Sequence, residues 1–330
     1  MNYDLKSYIC SKYAKIMKAT NSFNISILLL MLLFFLSSCH RKPNEKFISI
    51  SGAFALYPLT VKWAEEYEKL HPDIKIDISA GGAGKGMTDV LSGMVDLAMF
   101  SREVSEVEIS RGALSIAVSR DAVVPIMNSA NPYLKDILKK GLTKQQFADL
   151  FVNKKSNNWN GIFKSAKTDK INVYTRSDAC GAGEMWALFL NTKQELMLGI
   201  GVYGDPGIAD AVKNDKLGIG YGNIVYVYDT KTKIPYPGLR VIPIDFNNNG
   251  QIDNDEIIYN SLDELMKAVG EGKYPSPPAR DLYFISKGKP AKKVTTDFLN
   301  WVLTDGQKYV EEAGYMQLKP EKVAEQKMKI

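Results

Sequence analysis

Residues 47–86 read FISISGAFALYPLTVKWAEEYEKLHPDIKIDISAGGAGKG, and this stretch decides the fold of the chain. Residues 47–50 alternate apolar with polar side chains and predict a strand, and residues 74–78 predict a second one. Between them, residues 59–70 have helical periodicity, and Pro58 stands where a first helical turn tolerates proline. A strand, a helix and a strand in this order predict a right-handed βαβ unit, with its loops at the carboxyl ends of the strands.

Helices and strands alternate along the rest of the chain, which places it in the α/β class, and its length favours two lobes over one. Residues 116–127 and 217–228 are mostly apolar and long for single strands. Thr143 is a predicted helix N-cap. The other predicted helices are residues 87–92, 143–151, 184–190 and 294–310, and the other predicted strands are residues 95–99, 171–174, 239–244 and 281–286.

The first residues have the layout of a bacterial lipoprotein signal. Four lysines precede an uncharged apolar run, residues 25–36, which leads through two serines to Cys39. A signal of residues 1–38 would be cut before Cys39, which would then carry lipid, with residues 39–46 as a tether. A transmembrane anchor is the alternative, but the run is shorter than the roughly 20 residues that span a bilayer. We therefore expect a lipoprotein of the cell envelope, facing the periplasm or the exterior.

Composition excludes several classes of protein. Cys10 lies in the predicted signal and Cys39 is the predicted lipid carrier, so Cys180 has no partner for an intramolecular disulfide. The histidines are His40, in the tether, and His71, beside a proline, so a histidine-dependent triad or zinc site lacks its key residue. The signal contains four lysines and one aspartate, so its removal lowers the formal net charge from +5 to +2. We expect no nucleic-acid binding, and a monomer.

Loops rich in small residues stand between predicted strands and helices at residues 51–55, 81–86 and 176–183. Small residues let the backbone approach a ligand closely, and helix N-termini present unpaired N–H groups that suit an anion. Arg102, Arg176 and Lys85 could supply positive charge. Gly86 follows Lys85, so the second loop fits neither a Walker loop nor a dinucleotide fingerprint. The alternative is that the glycines only make tight turns and the arginines form surface salt bridges.

Several of these stretches resemble the phosphate-binding proteins of ABC transporters, which have the type II periplasmic binding protein fold. The resemblance is carried by SGAFALYPL (51–59) with Lys62-Trp63, VDLAMFSR (95–102), RSDACGA (176–182) and YPSPPARDLY (274–283). It covers residues 47–320 and implies two α/β lobes, two crossover strands, a ligand cleft between the lobes and delivery to an ABC permease. The implied crossovers are residues 116–127 and 217–228, the first lobe is residues 47–120 and 229–330, and the second lobe is residues 121–228.

The resemblance implies an anion clamp made of hydroxyls, backbone N–H groups, an arginine and an acidic acceptor. This chain keeps the arginine, Arg176, as the expected main charge clamp. Where the family has hydroxyl and acidic side chains, this chain has other residues: Ala53 or Phe54, Ala83, Ser101, Cys180 and Ala182. The implied ligand-binding residues are Ala53, Phe54, Ala55, Ala83, Gly84, Lys85, Ser101, Arg102, Arg176, Cys180, Gly181 and Ala182. Each missing hydroxyl removes about 0.5–1.5 kcal/mol of net hydrogen bonding.

The departures leave the ligand open between two hypotheses. Phosphate or a related oxyanion is the first, and a different oxyanion or small organic anion, bound for sensing, is the second. An enzyme is a third hypothesis, with Asp178 and Glu184 as acid and base, but no histidine, nucleophile elbow or cofactor loop supports it. We therefore expect no catalytic residues. Cys180 is either a buried inert thiol or a reactive one, and the first is the expectation.

Residues 245–256, DFNNNGQIDNDE, match the calcium loop of an EF-hand at every position. The flanks depart from that motif, because residues 241–244 predict a strand and not a helix, and an Asn/Asp-rich turn is the alternative. We expect a structural calcium ion that stiffens the loop, while ligand binding itself requires no cofactor. The predicted metal ligands are Asp245, Asn247, Asn249, the Gln251 carbonyl, Asp253 and Glu256.

Overall fold

The computed structural model describes residues 46–155, 158–163 and 169–330. The predicted signal, Cys39 and the predicted tether as far as residue 45 lie outside the described residues, so the lipoprotein interpretation stays a prediction. The chain divides into two units, Met1–Asn44 and Glu45–Ile330, and every element below belongs to the second. Within the described ranges, no helix is long and apolar enough to cross a membrane.

Strands from both ends of the second unit join one large sheet, and two short strands pair separately. In chain order the strands are β1 (Phe47–Gly52), β2 (Lys75–Ala80), β3 (Leu97–Phe100), β4 (Ala113–Asn128), β5 (Leu142–Thr143), β6 (Asn172–Arg176), β7 (Ile200–Val202), β8 (Gly218–Asn223), β9 (Leu239–Val241), β10 (Ile244–Asp245) and β11 (Ala279–Lys287).

Helices follow most of these strands. They are α1 (Tyr57–Leu70), α2 (Ala83–Leu91), α3 (Glu106–Ser110), α4 (Leu134–Lys140), α5 (Lys144–Phe151), α6 (Trp159–Phe163), α7 (Gly181–Phe189), α8 (Gly204–Asn214), α9 (Leu262–Gly270), α10 (Lys293–Val302) and α11 (Pro320–Lys327). Short 3-10 helices occur at Phe54–Leu56, Gln194–Leu196, Ile224–Tyr226 and Asp305–Tyr309.

The predicted βαβ unit is confirmed. β1 pairs in parallel with β2 and with β3, and α1 connects the first two strands. Pro58 lies in the first turn of α1, where its missing N–H costs no helical hydrogen bond. Because the three strands are parallel, the loops that follow them lie at one edge of the sheet, where α/β proteins bind ligands.

The large sheet contains two lobes joined by β4. Its strand order is β2-β1-β3-β11-β4-β8-β6-β7, with β9 also paired to β4. β4 pairs with β11 as far as Ala122 and with β8 from Val123 onward. We call the β2-β1-β3-β11 side the first lobe and the β8-β6-β7 side the second lobe. The predicted α/β class and two-lobe periplasmic binding protein fold are thereby confirmed, and residues 116–127 are a crossover.

Each lobe contributes aromatic pairs to one continuous hydrophobic core. In the first lobe, Trp63 lies with its ring centroid 6.0 Å from that of Phe284, and its indole N–H donates to the Gly306 carbonyl at 2.8 Å. In the second lobe, the Trp186 ring lies 5.2 Å from Phe147 in an edge-on arrangement. Such pairs contribute about 0.5–1.5 kcal/mol beyond the burial of their area.

Several predicted boundaries differ from the structure. The predicted crossover 217–228 is a strand only as far as Asn223, and a 3-10 helix follows it. α2 begins at Ala83 instead of residue 87, and α7 at Gly181 instead of residue 184, because first-turn N–H groups need no helical partner and small residues there pack closely. The predicted strand 239–244 is divided into β9 and β10 near Pro243, which has no N–H for a ladder. The predicted helix 294–310 ends at Val302 and is followed by a 3-10 helix.

The segment that contains the calcium-like loop packs on the second half of β4 and the residues after it. β9 pairs with β4 between Ile126 and Asn128, and β10 pairs in parallel with β5. The Ile252 amide donates to the Lys139 carbonyl at 2.9 Å. The predicted N-cap Thr143 closes a capping box with Gln146 at the start of α5, directly beside this segment.

Candidate functional site

The second and third small-residue loops meet in the structure. The Gly84 amide, in the first turn of α2, donates to the Ala179 carbonyl at 3.4 Å. Gly82, which caps α2 with a φ of 89°, lies against the Asp178 carboxylate. A side chain at Gly82 would therefore meet both backbone strain and the carboxylate. The N-terminus of α2 and the loop before α7 thus form two facing walls of a cleft.

The first loop and the end of β3 close the same space. Gly181 lies so close to the carbonyl and hydroxyl oxygens of Ser101 that a side chain there would clash with both. Phe54 lies over the Arg176 guanidinium, whose central carbon is 5.8 Å from the ring centroid, and contacts Tyr203 edge-on at 5.9 Å. Residues from all three predicted loops therefore come together at one place, where the two lobes are in contact.

Arg176, the predicted charge clamp, lies fully buried between two carboxylates. Its Nε and Nη2 donate to Asp178 at 2.8 and 2.6 Å, and its Nη1 donates to Asp205 at 2.7 Å. Burial alone would lower the pKa of Arg176, but Asp205 and the other acidic groups around it raise that pKa above its ordinary value. The guanidinium is therefore a fixed cation whose charge is already compensated.

A buried polar chain extends from Arg176 to the floor of the cleft. Asp205 accepts a second bond from Asn223 Nδ2 at 2.7 Å. The side-chain oxygen of Asn223, Oδ1, in turn accepts from Arg280 Nη2. Arg280 also donates to both carboxylate oxygens of Asp121, at 2.8 and 3.1 Å. Two arginines and three aspartates thus form one network, with Asp178 at its far end.

The other two predicted cations are engaged outside this network. Arg102 forms an ion pair with Glu108 at 2.7 Å and reaches Glu184, in the first turn of α7, at 3.1 Å. It therefore connects the first lobe to α7 of the second lobe. Lys85, which is half exposed, forms an ion pair with Asp89 of its own helix. Of the two arginines for which the sequence left a surface salt bridge open, Arg102 forms partly exposed salt bridges and Arg176 forms buried ones.

Cys180 is the N-cap of α7 and is almost fully buried. Its sulfur accepts from the Gly183 amide at 3.3 Å, so the thiol takes the capping role that a serine hydroxyl has in other helices. Burial raises the pKa of Cys180 to about 12, in spite of the nearby Arg176. A thiol of this kind is protonated at neutral pH and is a poor nucleophile.

The alanines at the hydroxyl positions offer the cleft only their backbone and a methyl group. Ala53, Ala83 and Ala182 are each at most 2% exposed, as is the neighbouring Ala55, which does not stand at a hydroxyl position. Ala83 and Ala182 lie in the first turns of α2 and α7, whose N–H groups carry the positive end of the helix dipole. The arrangement suits an anion that is held by backbone N–H groups and excluded from water.

The calcium-like loop is wound around its own acidic residues. Asp245 accepts from the Asn249 amide at 3.2 Å and from the Gly250 amide at 2.9 Å. Glu256 turns back toward the start of the loop, where it accepts from the Phe246 amide at 2.7 Å. Asp245 and Glu256 are both buried, with 1% and 3% exposure. The first and twelfth positions of the motif are thus close together, as a calcium loop requires.

The middle of the loop completes this arrangement. The side-chain amides of Asn247 and Asn249 donate to Asp253 Oδ2 at 2.8 and 2.7 Å. Among the described residues, no group of three or more His, Cys, Asp and Glu side chains is arranged to hold a metal ion. The predicted ligand set has three acidic members, and amide and carbonyl oxygens make up the rest. The donor chemistry fits a hard cation such as calcium, and it equally fits the Asn/Asp-rich turn.

Four residues of the buried network were not among the predicted site residues: Asp121, Asp205, Asn223 and Arg280. They lie in four different elements, and nothing in their spacing indicates that they meet. One signal was present for Arg280, because Arg120-Asp121 and Arg280-Asp281 are the only adjacent Arg-Asp pairs in the sequence, the first in a predicted crossover and the second at the start of a predicted strand. In the antiparallel register, Asp121 lies opposite Arg280 and Arg120 opposite Asp281.

Two lobes that close over a cleft lined by helix N-termini define a ligand-binding protein of the periplasmic type. The sequence profile of the PBP superfamily domain matches residues 37–306, and the chain therefore belongs to this superfamily. Within it, the chain is similar to the phosphate-binding protein PstS of Methanocaldococcus jannaschii, with 27% identity over 87% of this chain and 86% of that protein. It is also similar to PstS of Staphylococcus epidermidis, with 24% identity over 80% of this chain and 77% of that protein.

Solved structures confirm the fold. A phosphate ABC transporter substrate-binding protein from Clostridium perfringens, determined with bound phosphate, superimposes with a TM-score of 0.68 at 21% identity. The alignment covers 83% of this chain and 100% of that one. An ABC-type phosphate transport receptor from Vibrio cholerae gives a TM-score of 0.58 at 19% identity, over 82% of this chain and 100% of that one.

Proposed function

We propose that this protein is an extracytoplasmic solute-binding lipoprotein that captures phosphate, or a related oxyanion, and delivers it to an ABC permease. The observation that carries the proposal is the convergence of α2, α7 and the first loop around the buried Arg176. The similarity to phosphate-binding proteins supports the choice of ligand. The family is one of binding proteins, and we infer no catalytic role for any residue.

The proposed contacts with the anion come mainly from the backbone. The first turns of α2 and α7 would donate N–H groups from Ala83, Gly181 and Ala182, and the Gly84 amide would exchange its bond to the Ala179 carbonyl for one to the anion. Arg176 has five N–H groups, of which three are engaged by carboxylates, so two remain for the anion. The remaining predicted contacts are from Ala53, Phe54, Ala55, Lys85, Ser101, Arg102 and Cys180.

A different oxyanion or small organic anion is the second candidate, and one observation favours it. The charge of Arg176 is shared between Asp178 and Asp205, and the family's hydroxyl positions are alanines and a cysteine. A site with few hydroxyl donors and a compensated cation discriminates less strongly for a fully charged phosphate.

Calorimetric titration of the purified chain with phosphate, and with sulfate as a control, tests the proposal. We expect phosphate to bind in preference to sulfate. Arg176→Ala should abolish binding, because it removes the buried cation, whereas Arg111→Ala, at an exposed arginine, should have no effect. Absence of heat with both anions in the wild-type chain would contradict phosphate as the ligand and support the second candidate.

We propose that lipid on Cys39 attaches the protein to the membrane and that residues 39–46 form a tether. We also propose that the binding unit is a monomer. In a bacterial host, Cys39→Ser should move the protein from the membrane to the soluble fraction and abolish labelling with a radioactive fatty acid. Membrane association that survives Cys39→Ser would contradict lipidation at this residue.

The lobe boundaries are also a proposal. The predicted division between residues 120 and 121 is supported by the change of partner along β4. Residues 239–256 are better grouped with the second lobe than with the first, because β9 and β10 pair with β4 and β5. We infer that this segment moves with the second lobe when the cleft opens.

We propose that residues 245–256 bind a structural calcium ion. Support comes from the closeness of Asp245 and Glu256 and from the amide oxygens of Asn247 and Asn249 around them. Calcium would be held by these side chains, by Asp253 and by the Gln251 carbonyl, and it would fix the loop against α4 and β5. An ion present at 100 times its dissociation constant stabilises the folded state by about 2.7 kcal/mol.

Thermal unfolding with calcium and with a chelator tests this proposal. We expect calcium to raise the Tm of the wild-type chain, and Glu256→Gln to abolish that rise because it removes the bidentate ligand. Asp255→Asn is the matched control, since Asp255 is exposed and does not occupy a ligand position. Equal Tm values with calcium and with chelator in the wild-type chain would exclude a stabilising ion and leave the Asn/Asp-rich turn.

A further inference from the structure

Arg280 is a buried cation with an unused donor. Its side chain is 3% exposed. Nε and Nη2 donate to Asp121, and Nη2 also donates to Asn223. Nη1 has no hydrogen-bond partner in the described part of the chain, although it is buried. Buried guanidinium N–H groups are almost always paired, so this one needs an explanation.

The position of Arg280 suggests what the partner is. Arg280 is the second residue of β11, opposite Asp121 at the point where β4 leaves the first lobe. Asn223 is the last residue of β8, which belongs to the second lobe. Arg280 therefore lies at the floor of the cleft, where strands of both lobes meet.

One wall of the cleft lies within electrostatic reach of Arg280. Glu184 lies in the first turn of α7, and the charge of Arg280 contributes to lowering its pKa against the larger, opposite effect of burial. The hydrogen bonds through Asn223 and Asp205 connect the Arg280 guanidinium to Arg176, which belongs to the same proposed anion site.

The two buried arginines differ in how far their charges are compensated. Arg176 is shared between two carboxylates, Asp178 and Asp205, which engage all three of its nitrogens. Arg280 has one carboxylate, Asp121, and a neutral amide, Asn223. Each arginine thus keeps two free N–H groups, but both of those on Arg280 belong to Nη1, which is the buried nitrogen without a partner among the described residues.

We propose that Arg280 is a second anion-binding residue, which donates from Nη1 to an oxygen of the bound oxyanion. It supplies a charged donor to a site whose hydroxyl donors are replaced by Ala53, Ala83 and Ala182. Asn223 and Asp205 link it to Arg176, so that the two guanidinium groups are held in one rigid frame. This inference rests on the proposed function, since it requires an oxyanion in the cleft.

Arg280→Lys tests the inference by calorimetric titration of the purified full-length chain with phosphate. Lysine keeps a positive charge beside Asp121 but has no group at the position of Nη1. We expect phosphate affinity to fall by about tenfold or more, while the Tm without ligand changes little. The matched control is Arg120→Lys, which alters the Arg120–Asp281 pair one residue away on the same two strands and should keep wild-type affinity.

The outcomes separate the inference from the proposed function. If the wild-type chain binds no oxyanion, the proposed function fails. If the wild-type chain binds phosphate and Arg280→Lys binds it equally well, only the inference is overturned. An equal loss in Arg280→Lys and Arg120→Lys would also overturn it, because the effect would then belong to the strand pair.

A second variant covers the case in which Arg280→Lys does not fold. Asp121→Met with Arg280→Met removes the buried pair together, which leaves no orphaned charge and is often tolerated. We expect it to lose phosphate affinity by about tenfold or more. A crystal structure of the wild-type chain with phosphate decides the matter without a variant. A phosphate oxygen within hydrogen-bond distance of Nη1 supports the inference, and a protein or water acceptor there overturns it.

Discussion

Arg176 and Cys180 lie in the same buried corner, and their surroundings decide their protonation in opposite ways. Carboxylates at 2.6 and 2.7 Å keep the guanidinium charged. The nearby Arg176 lowers the pKa of the Cys180 thiol, but burial outweighs this effect and raises that pKa. The sequence predicted both residues as part of the site and predicted an inert thiol. It could not predict that Asp205, in α8, would also accept a hydrogen bond from Arg176.

Cys180 should be almost unreactive in the folded protein. With a pKa of about 12, roughly one molecule in 10⁴ carries the thiolate at pH 8. In a Cys10→Ser, Cys39→Ser chain, we expect alkylation by iodoacetamide to be orders of magnitude slower when folded than in urea. Ser177→Cys in a chain without the other cysteines is the control, because Ser177 is exposed and a thiol there should react quickly. Equal rates for the two folded variants would contradict the burial argument.

At the scale of elements, the helices that border the cleft begin within the small-residue loops. The first helical turns of α2 and α7 are rich in Gly and Ala, and the sequence alone had predicted loops there. Glycine has a low helix propensity, but tertiary packing decides here, because only a small residue lets α7 approach Ser101. Strands, turns and capping signals such as Thr143 are local and were predictable. The contact between two loops from different lobes joins residues far apart in the sequence, so it was not predictable.

Gly181→Ala should therefore disrupt the cleft although alanine is the better helix former. The added methyl group would clash with the Ser101 backbone, so we expect a loss of stability of about 1–3 kcal/mol and weaker phosphate binding. Gly270→Ala is the matched control, since Gly270 is the last residue of α9 with open space around it. It should leave stability unchanged or raise it by up to about 1 kcal/mol. Urea unfolding measures the stability of both variants. If Gly181→Ala is as stable as the wild-type chain, α7 can shift to make room for the methyl group.

On the scale of the whole molecule, Arg102 connects the lobes through two glutamates whose environments differ. Glu108 belongs to the first lobe. Burial would raise its pKa, but Arg102 and the Ser105 amide and hydroxyl overcome burial and lower it. Glu184 belongs to the second lobe, and burial raises its pKa more than Arg102 lowers it. The ion pair across the cleft therefore compensates the burial of Glu184 only in part.

This difference predicts opposite pH effects for two similar variants. A raised pKa means that the folded state favours protonated Glu184, so stability is lost as pH rises above its ordinary value of 4.5. Glu184→Gln should remove that loss and raise Tm relative to wild type at pH 7 but not at pH 4. A lowered pKa means that ionised Glu108 stabilises the fold above 4.5 and that this contribution disappears as pH falls. Glu108→Gln should therefore lower Tm at pH 7, with a smaller effect at pH 4.

Thermal unfolding of the wild-type chain and both variants between pH 4 and pH 7 makes the comparison. If Glu184→Gln lowers Tm at pH 7 as Glu108→Gln does, the Arg102–Glu184 pair is a net attraction between the lobes. If it raises Tm, closure of the cleft carries an electrostatic cost, which lower pH relieves because Glu184 takes up a proton. The cleft would then close more readily in acid, whereas Arg102 would still be anchored to its own lobe by Glu108. In the unoccupied protein, the lobes would thus separate more readily at neutral pH than in acid.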